Sequence, residues 1–294
     1  YEEFPARIAE VAMWLIDHQM NMLISNEFGQ YFARLPLKKS AKIIHGNALE
    51  LDWEDVVSKK ELTHIIGNPP FIGAMIMSDS QRKDIANVFK NEVGSFGVLD
   101  YVTAWYYKAA IYIQNTNIKV AYVSTNSIVQ GEQTNILWKL LQIKYKIKIH
   151  FAHRTFNWKN EAKGNAAVYC VIIGFANFDI NNKILFDYQH IKGEPHAIKV
   201  KNINAYLIDA KDTFIDNLSI PICKIPKMSF GSMPRDGGHL VFTNDEKNEF
   251  VVNEPGSEKW IRPYTGAQEF INGYVRYCLW LNEISPNELN KLPQ

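Results

Sequence analysis

The stretch "THIIGNPPFIG", residues 63–73, sets a short β-prone run of Thr63, Ile65 and Ile66 before Gly67, and then places Asn68, Pro69, Pro70 and Phe71 in succession. Two adjacent prolines fix φ at both positions and remove two backbone donors. The segment reads as a strand that ends in a rigid turn, one that accepts hydrogen bonds and scarcely donates them. Such a turn suits the chemistry of an exocyclic amine on a nucleobase. That amine is a poor nucleophile because its lone pair is delocalised into the ring. Two acceptors aimed at its N–H bonds, the Asn68 side-chain oxygen and the Pro69 carbonyl, draw it toward a tetrahedral, nucleophilic geometry. Phe71 offers a face on which the base can stack. This is preorganised electrostatics directed at a transition state, and with a sulfonium methyl group as electrophile no strong general base is needed.

Outward from the turn, strands alternate with helices. Residues 5–24 keep a helical apolar stripe (Ile8, Val11, Ala12, Leu15, Ile16, Leu23) behind Pro5. "AKIIHGNAL" reads as a strand ending at Gly46, and "LTHIIG" as one ending at Gly67. Asp100 is placed to cap a helix through Trp105, Tyr106 and Ile113. "IKVAYVST" is a strand followed by the helix "TNILWKLLQIKY", and "IKIHFAHRTF", "AAVYCVIIGFANF" and "KILFDYQ" are further strands. The alternation over residues 1–155 predicts an α/β layered sheet with ligands at its strand ends. After about residue 180 the segments become short, polar and rich in turn residues, with turn chemistry at Pro234 to Gly238. A boundary falls near residues 215–225, giving domains over 1–220 and 221–294.

The chain's 294 residues, 47% hydrophobic, are enough for a large core. A net charge of +1 names no partner, and no apolar run approaches a membrane span. Cys170, Cys223 and Cys278 stand far apart and form no metal or disulfide framework. His150 and His153, spaced oddly along a strand, point to opposite faces, so no metal is expected. The chain opens on Tyr1 without a signal-peptide pattern and reads as a piece of something longer. Between Lys139 and Lys163 seven Lys or Arg stand against the single acid Glu161, around the aromatic stretch "RTFNW". Lys144, Lys146, Lys148, Arg154, Lys159 and Lys163 are therefore candidates for holding a nucleic-acid backbone.

"NPPF" resembles the (D/N/S)-P-P-(Y/F/W) motif of S-adenosylmethionine-dependent amino methyltransferases. "HGNALELDW", about twenty residues earlier, resembles the family's G-D-A-L segment, whose acid meets the amine of the cofactor adenine. Here that position is Asn47, which accepts without a charge. "YEEFPARIAEVAMWL" resembles the helix that follows the ribose-binding carboxylate. "VAYVSTNSIVQGEQ" resembles the strand and loop beside the target pocket, and "AHRTFNW" with "AAVYCVIIGF" resembles the elements that bring an aromatic over an extrahelical base. The combination is most similar to the large DNA adenine-N6 methyltransferases of restriction–modification systems. "KMSFGSMPRDGGHL", "EPGSEKWIRPYTGAQEFING" and "RYCLWL" resemble the start of their target-recognition region.

The resemblance implies a Rossmann-like methyltransferase α/β sheet, incomplete at its N-terminal end, followed by the beginning of a mixed α+β recognition region. It implies Asn68, Pro69, Pro70 and Phe71 as the catalytic turn, and Phe156 first and Trp158 second as the base-stacking aromatic. Gly46, Asn47, Ala48, Leu49 and Gly67 would contact S-adenosylmethionine. Lys227, Arg235, His239, Arg262 and Tyr264 would read bases or backbone of double-stranded DNA in a bacterial or archaeal cytoplasm. The family's glycine-rich turn and ribose carboxylate are absent from the sequence and are expected before Tyr1, in a missing N-terminal part of the parent chain. The alternatives are a methylase of RNA guanine N2 or of protein glutamine, and a non-catalytic DNA-binding specificity module.

Overall fold

The computed structural model describes residues 2–29, 41–92, 96–158, 168–216, 218, 220, 223–226 and 236–291. Its contacts divide the chain into two compact units, Tyr1–Leu218 and Ser219–Gln294.

The first unit is built on a six-stranded sheet in the order β1-β2-β4-β3-β5-β6. The strands are β1 (His64–Gly67), β2 (Lys119–Thr125), β3 (Lys148–Trp158), β4 (Val168–Ala176), β5 (Lys183–Asp187) and β6 (His196–Val200). β1 runs parallel to β2 and β3 parallel to β5, whereas β4 is antiparallel to both β2 and β3, and β6 to β5. Four strands therefore share one direction. The helices are α1 (Glu3–Phe28), α2 (Asp79–Phe89), α3 (Thr103–Tyr112) and α4 (Glu132–Lys139), the last continuing as a π-turn over Leu140–Lys144. Among the described residues, none of the helices is long and apolar enough to cross a membrane.

β2 shows why this sheet holds. Along it Val120, Tyr122 and Ser124 are buried in alternation with more exposed neighbours, the period-two pattern of a strand that packs mainly one face. Tyr106 of α3 stacks on Phe175 of β4 at 5.5 Å and meets the Ser124 hydroxyl at 3.0 Å, so its polar end is satisfied inside the core. Trp138 is fully buried, and its indole N–H donates to the Ile128 carbonyl at 3.0 Å. β4 carries Gly174 because a Cβ there would lie 2.1 Å from the Phe151 ring of β3. The glycine is a seat for that ring, beside a register shift between Ile149 and Phe151.

Three expectations are corrected. Residues 41–46 form no strand, and among the described residues β1 is an edge strand paired to β2. Asp100 does not cap α3, which starts at Thr103 with Val102 before it; its carboxylate is used elsewhere. The helix expected over residues 5–24 is present as α1, but its apolar stripe is not the packed face: the half-buried face is the one with Trp14, His18 and Asn21. Ile8, Leu15 and Leu23 are exposed.

The second unit has a three-stranded antiparallel sheet, β7 (Val241–Phe242), β9 (Arg276–Leu279) and β8 (Ile261–Tyr264), with β9 central. Its helices are α5 (Asn244–Asn253), α6 (Ala267–Asn272) and α7 (Pro286–Leu289). α5 begins with a capping box between Thr243 and Glu246. Inside the unit, Glu269, 3% exposed, takes the Arg276 guanidinium at 2.5 Å.

Candidate active site

β1 delivers the Asn68–Phe71 turn to the end of the sheet where β2 also finishes, with Gly67 paired to Tyr122. A Cβ on Gly67 would come within 3.2 Å of the Tyr122 ring, so the strand ends in close contact with the buried tyrosine beneath it. Asn68 and Pro70 are exposed, Pro69 is buried and Phe71 half-buried. Among the described residues, nothing donates to the Asn68 side chain or to the Pro69 carbonyl. The turn thus presents two open acceptors from a backbone that the prolines keep stiff.

The segment after the turn is held by residues not singled out from the sequence. The Asp100 carboxylate accepts the Ala74 amide at 3.0 Å, the Ser127 hydroxyl at 2.6 Å and the Gln133 side-chain amide at 2.9 Å. The next residue, Tyr101, donates its own amide to the Ile72 carbonyl at 2.9 Å. One dipeptide therefore ties the chain beyond Phe71 to the loop after β2 and to the start of α4. The signal for it lay in "VLDYVTAW", an aspartate inside an apolar run, which reads equally well as a helix cap.

Beside the turn lies a cavity of about 360 Å³ lined by Gly46, Asn47, Ala48, Pro70, Ile72, Ser80, Gln81, Tyr101 and Trp105. Three of the five expected cofactor contacts, Gly46, Asn47 and Ala48, share this cavity with Pro70 of the turn. Leu49 is buried, with its amide bound by Asn47 at 3.0 Å, and Gly67 serves the strand end. The donor set fits the adenine end of S-adenosylmethionine: Pro70, Ile72, Tyr101 and Trp105 offer apolar and aromatic faces, and Asn47 offers a polar edge.

The basic run does not form one surface. β3 is parallel to β1, so Lys148, which begins it, stands at the end of the sheet away from the turn. Trp158, which ends it, stands at the turn's end. A strand of this length separates the two by roughly 30 Å. Lys144 is bound to Glu92 at 2.7 Å, and Lys146, with φ of 54°, turns the chain out of the helix; both lie at the far end. Lys148 pairs with Asp212 at 3.4 Å. Arg154 lies nearer the turn's end and meets Asp187 at 3.1 Å. Lys159 and Lys163 fall outside the described residues.

Phe156 is at the turn's end of the sheet, in an aromatic cluster, 5.4 Å from Tyr188 and 6.2 Å from His153. Its strand lies three sheet positions from β1, about 14 Å. Of Trp158 the strand backbone alone is described. His153 and His150 each satisfy a separate partner, the Tyr188 hydroxyl and the Phe178 carbonyl, both at 2.7 Å. Burial pushes the pKa of both imidazoles down. Among the described residues no group of three or more His, Cys, Asp or Glu could hold a metal.

In the second unit, the Arg262 guanidinium donates to the carbonyls of Lys259 at 2.8 Å and Ile261 at 3.0 Å, a bracing role that the DNA-reading expectation did not foresee. The Tyr264 ring carries the Arg276 guanidinium 5.3 Å from its centroid. His239 is exposed, after Gly237 and Gly238, whose positive φ values make the turn. Lys227 and Arg235 lie outside the described residues.

Comparisons with known proteins show the family of the chain. The MmeI DNA-methyltransferase domain matches residues 1–187, and the MmeI target recognition domain matches residues 209–294. DNA methyltransferase A of Bacillus subtilis (strain 168) is 38% identical over 296 residues, which is 99% of this chain and 33% of that protein. The structure of the Type IIL restriction–modification enzyme MmeI in complex with DNA superimposes with a TM-score of 0.93 at 53% identity, covering 99% of this chain and 39% of that one. The chain thus spans between a third and two fifths of the length of these relatives. The chain belongs to the MmeI family, and it carries the family's DNA-methyltransferase domain followed by its target recognition domain.

Proposed function

We propose that this chain is the base-modifying and recognition part of a DNA adenine-N6 methyltransferase in a restriction–modification system, acting in the cytoplasm. The observation that carries the reading is the pair of open acceptors, Asn68 Oδ1 and the Pro69 carbonyl, on a proline-stiffened turn beside a cavity suited to adenine. A target adenine must leave the duplex to reach them. Asn68 and Pro69 then accept from its two N–H bonds, raise the electron density on N6 and favour its tetrahedral form, while Phe71 packs against the ring. Gly46, Asn47, Ala48, Pro70, Ile72 and Tyr101 hold the adenosine end of S-adenosylmethionine, which when bound supplies an electrophilic methyl group. As the bond from N6 to the methyl carbon forms, the sulfonium–methyl bond would break to leave the neutral thioether S-adenosylhomocysteine, and N6 would release one proton to water.

The base-stacking aromatic is Phe156 or Trp158, both on the β3 end nearest the turn. Arg154 holds DNA phosphates there, and the second unit reads the site with exposed groups such as His239. An N-terminal part of the same parent chain supplies the remaining cofactor contacts and covers both Ile66, 81% exposed, and the edge of β1 that no described strand pairs. The full-length protein, incubated with methyl-labelled S-adenosylmethionine and double-stranded DNA, should yield N6-methyldeoxyadenosine on nucleoside digestion and mass spectrometry. Label in RNA guanine or in protein glutamine, or DNA binding with no label at all, would overturn the reading.

A further inference from the structure

Asn47 stands where the resemblance calls for an acid, and the structure supplies a carboxylate just behind it. Asn47 Nδ2 donates to Asp84 Oδ1 at 3.2 Å, and Asn47 Oδ1 accepts the Leu49 amide at 3.0 Å. A carboxylate oxygen only accepts here and a backbone N–H only donates, so the amide has a single satisfied orientation. Asp84, on α2, is 6% exposed, and its second oxygen accepts the Tyr101 hydroxyl at 2.6 Å. Tyr101 and Asn47 line the same cavity. An amide oxygen has two lone pairs, and the Leu49 amide takes one of them.

We propose that Asp84 is a positioning residue for the cofactor: it holds Asn47 with its amide oxygen open to an exocyclic amine in the cavity, and so sets a preference for adenine over a base with an acceptor at that position. This rests on reading the cavity as the cofactor's adenine pocket. The same contacts explain why an acid at position 47 is unfavourable. In Asn47→Asp alone, one carboxylate would face another at about the present 3.2 Å separation, with like charges repelling in a half-buried site.

Substitution of Asp84 has a directional consequence. In Asp84→Asn the new side chain keeps one oxygen for the Tyr101 hydroxyl and turns its NH2 toward Asn47. Asn47 then has no orientation that satisfies both neighbours: keeping its oxygen on the Leu49 amide sets NH2 against NH2 at residue 84, and turning its oxygen to residue 84 sets its own NH2 against the Leu49 N–H. Its oxygen is no longer held open to the cofactor; in the turned orientation a donor meets the donor of adenine, while the keto oxygen of hypoxanthine becomes acceptable. In the charge-exchanged double variant, Asn47→Asp with Asp84→Asn, the residue-84 amide donates to the carboxylate introduced at position 47, and a carboxylate oxygen again faces the adenine amine.

The test is titration of the full-length protein with S-adenosylhomocysteine and with S-inosylhomocysteine, reading the ratio of the two affinities. Wild type should favour the adenine compound by about tenfold or more, the scale of one hydrogen bond kept or left unpaired in a buried site. Asp84→Asn should remove that preference, and the double variant should restore it. A purely structural role would lower both affinities together and leave the ratio unchanged. An unchanged ratio in Asp84→Asn, or no recovery in the double variant, overturns the proposal; the double variant keeps the test decisive if the single one fails to fold. A wild-type protein that binds both compounds equally would overturn the reading of the cavity itself.

Discussion

Asp100 binds the amide of Ala74 at 3.0 Å, and that bond joins the segment after the Asn68–Phe71 turn to the loop before α3. Its other oxygen holds Ser127 and Gln133. The position of Asn68 and Pro69 thus depends on a residue about thirty positions along the chain. Asp100→Ala should lower kcat for DNA methylation by about tenfold or more, because a small misplacement of reacting groups is enough to cost up to about 10²-fold. The three stranded donors should also reduce stability by about 1–3 kcal/mol. Steady-state kinetics with a melting curve separate the two effects, and a wild-type kcat would show that the clamp is dispensable.

Arg154 and Lys148 occupy the same strand about 20 Å apart, the first near the turn's end and the second away from it. If DNA lies at the turn's end, Arg154→Ala should reduce the salt dependence of DNA binding by about 0.9 in log–log slope, the contribution of one phosphate. Lys148→Ala should leave the slope as it is. Binding isotherms at several salt concentrations decide this, and the reverse pattern would place the DNA at the other end of the sheet.

The sequence exposed the local backbone well and the long-range placement poorly. The turn at 68–71 was legible because prolines dictate backbone geometry within a few residues. β2 and β4 were legible from their own apolar patterns. The basic run looked like one patch because it is contiguous in sequence, yet an extended strand carries its two ends far apart. Residues 41–46 carry a strand-like pattern, but a strand also needs a neighbour, which composition cannot report. The stripe on α1 is a real amphipathic pattern whose orientation in the fold depends on what it packs against. Asp84 was invisible because its partner Asn47 is 37 residues away.

The proposed stacking role falls to Phe156 or Trp158. Phe156→Ala should weaken capture of an extrahelical base more than duplex binding, since one base–aromatic stack is worth about 1–3 kcal/mol. Fluorescence of 2-aminopurine at the target position reports this directly. Unchanged fluorescence would move the role to Trp158, in keeping with the packing of Phe156 against Tyr188.

Glu92 gathers Lys144 at 2.7 Å, Tyr107 at 2.8 Å and Tyr145 at 2.9 Å around one oxygen. Burial by itself pushes its carboxyl pKa up, and the bonds from Lys144, Tyr107 and Tyr145 together outweigh it, leaving the group below its ordinary value of 4.5. A depressed carboxyl stabilises the fold in full above the ordinary value, and that contribution fades as pH falls through the lowered one. Glu92→Gln should therefore be less stable than wild type at neutral pH, with the gap closing as pH drops below 4.5. Urea unfolding across that range is the check, and a gap independent of pH would contradict the assignment.

Methyl transfer by Asn68→Ala in the full-length protein probes the role of the turn without an intermediary. The residue is exposed and takes no donor among the described residues, so its removal should leave folding and duplex binding unchanged. Formation of N6-methyladenine should fall by about 100-fold or more, the usual cost of one preorganised contact to a transition state. A rate within a few-fold of wild type would contradict the role assigned to the turn.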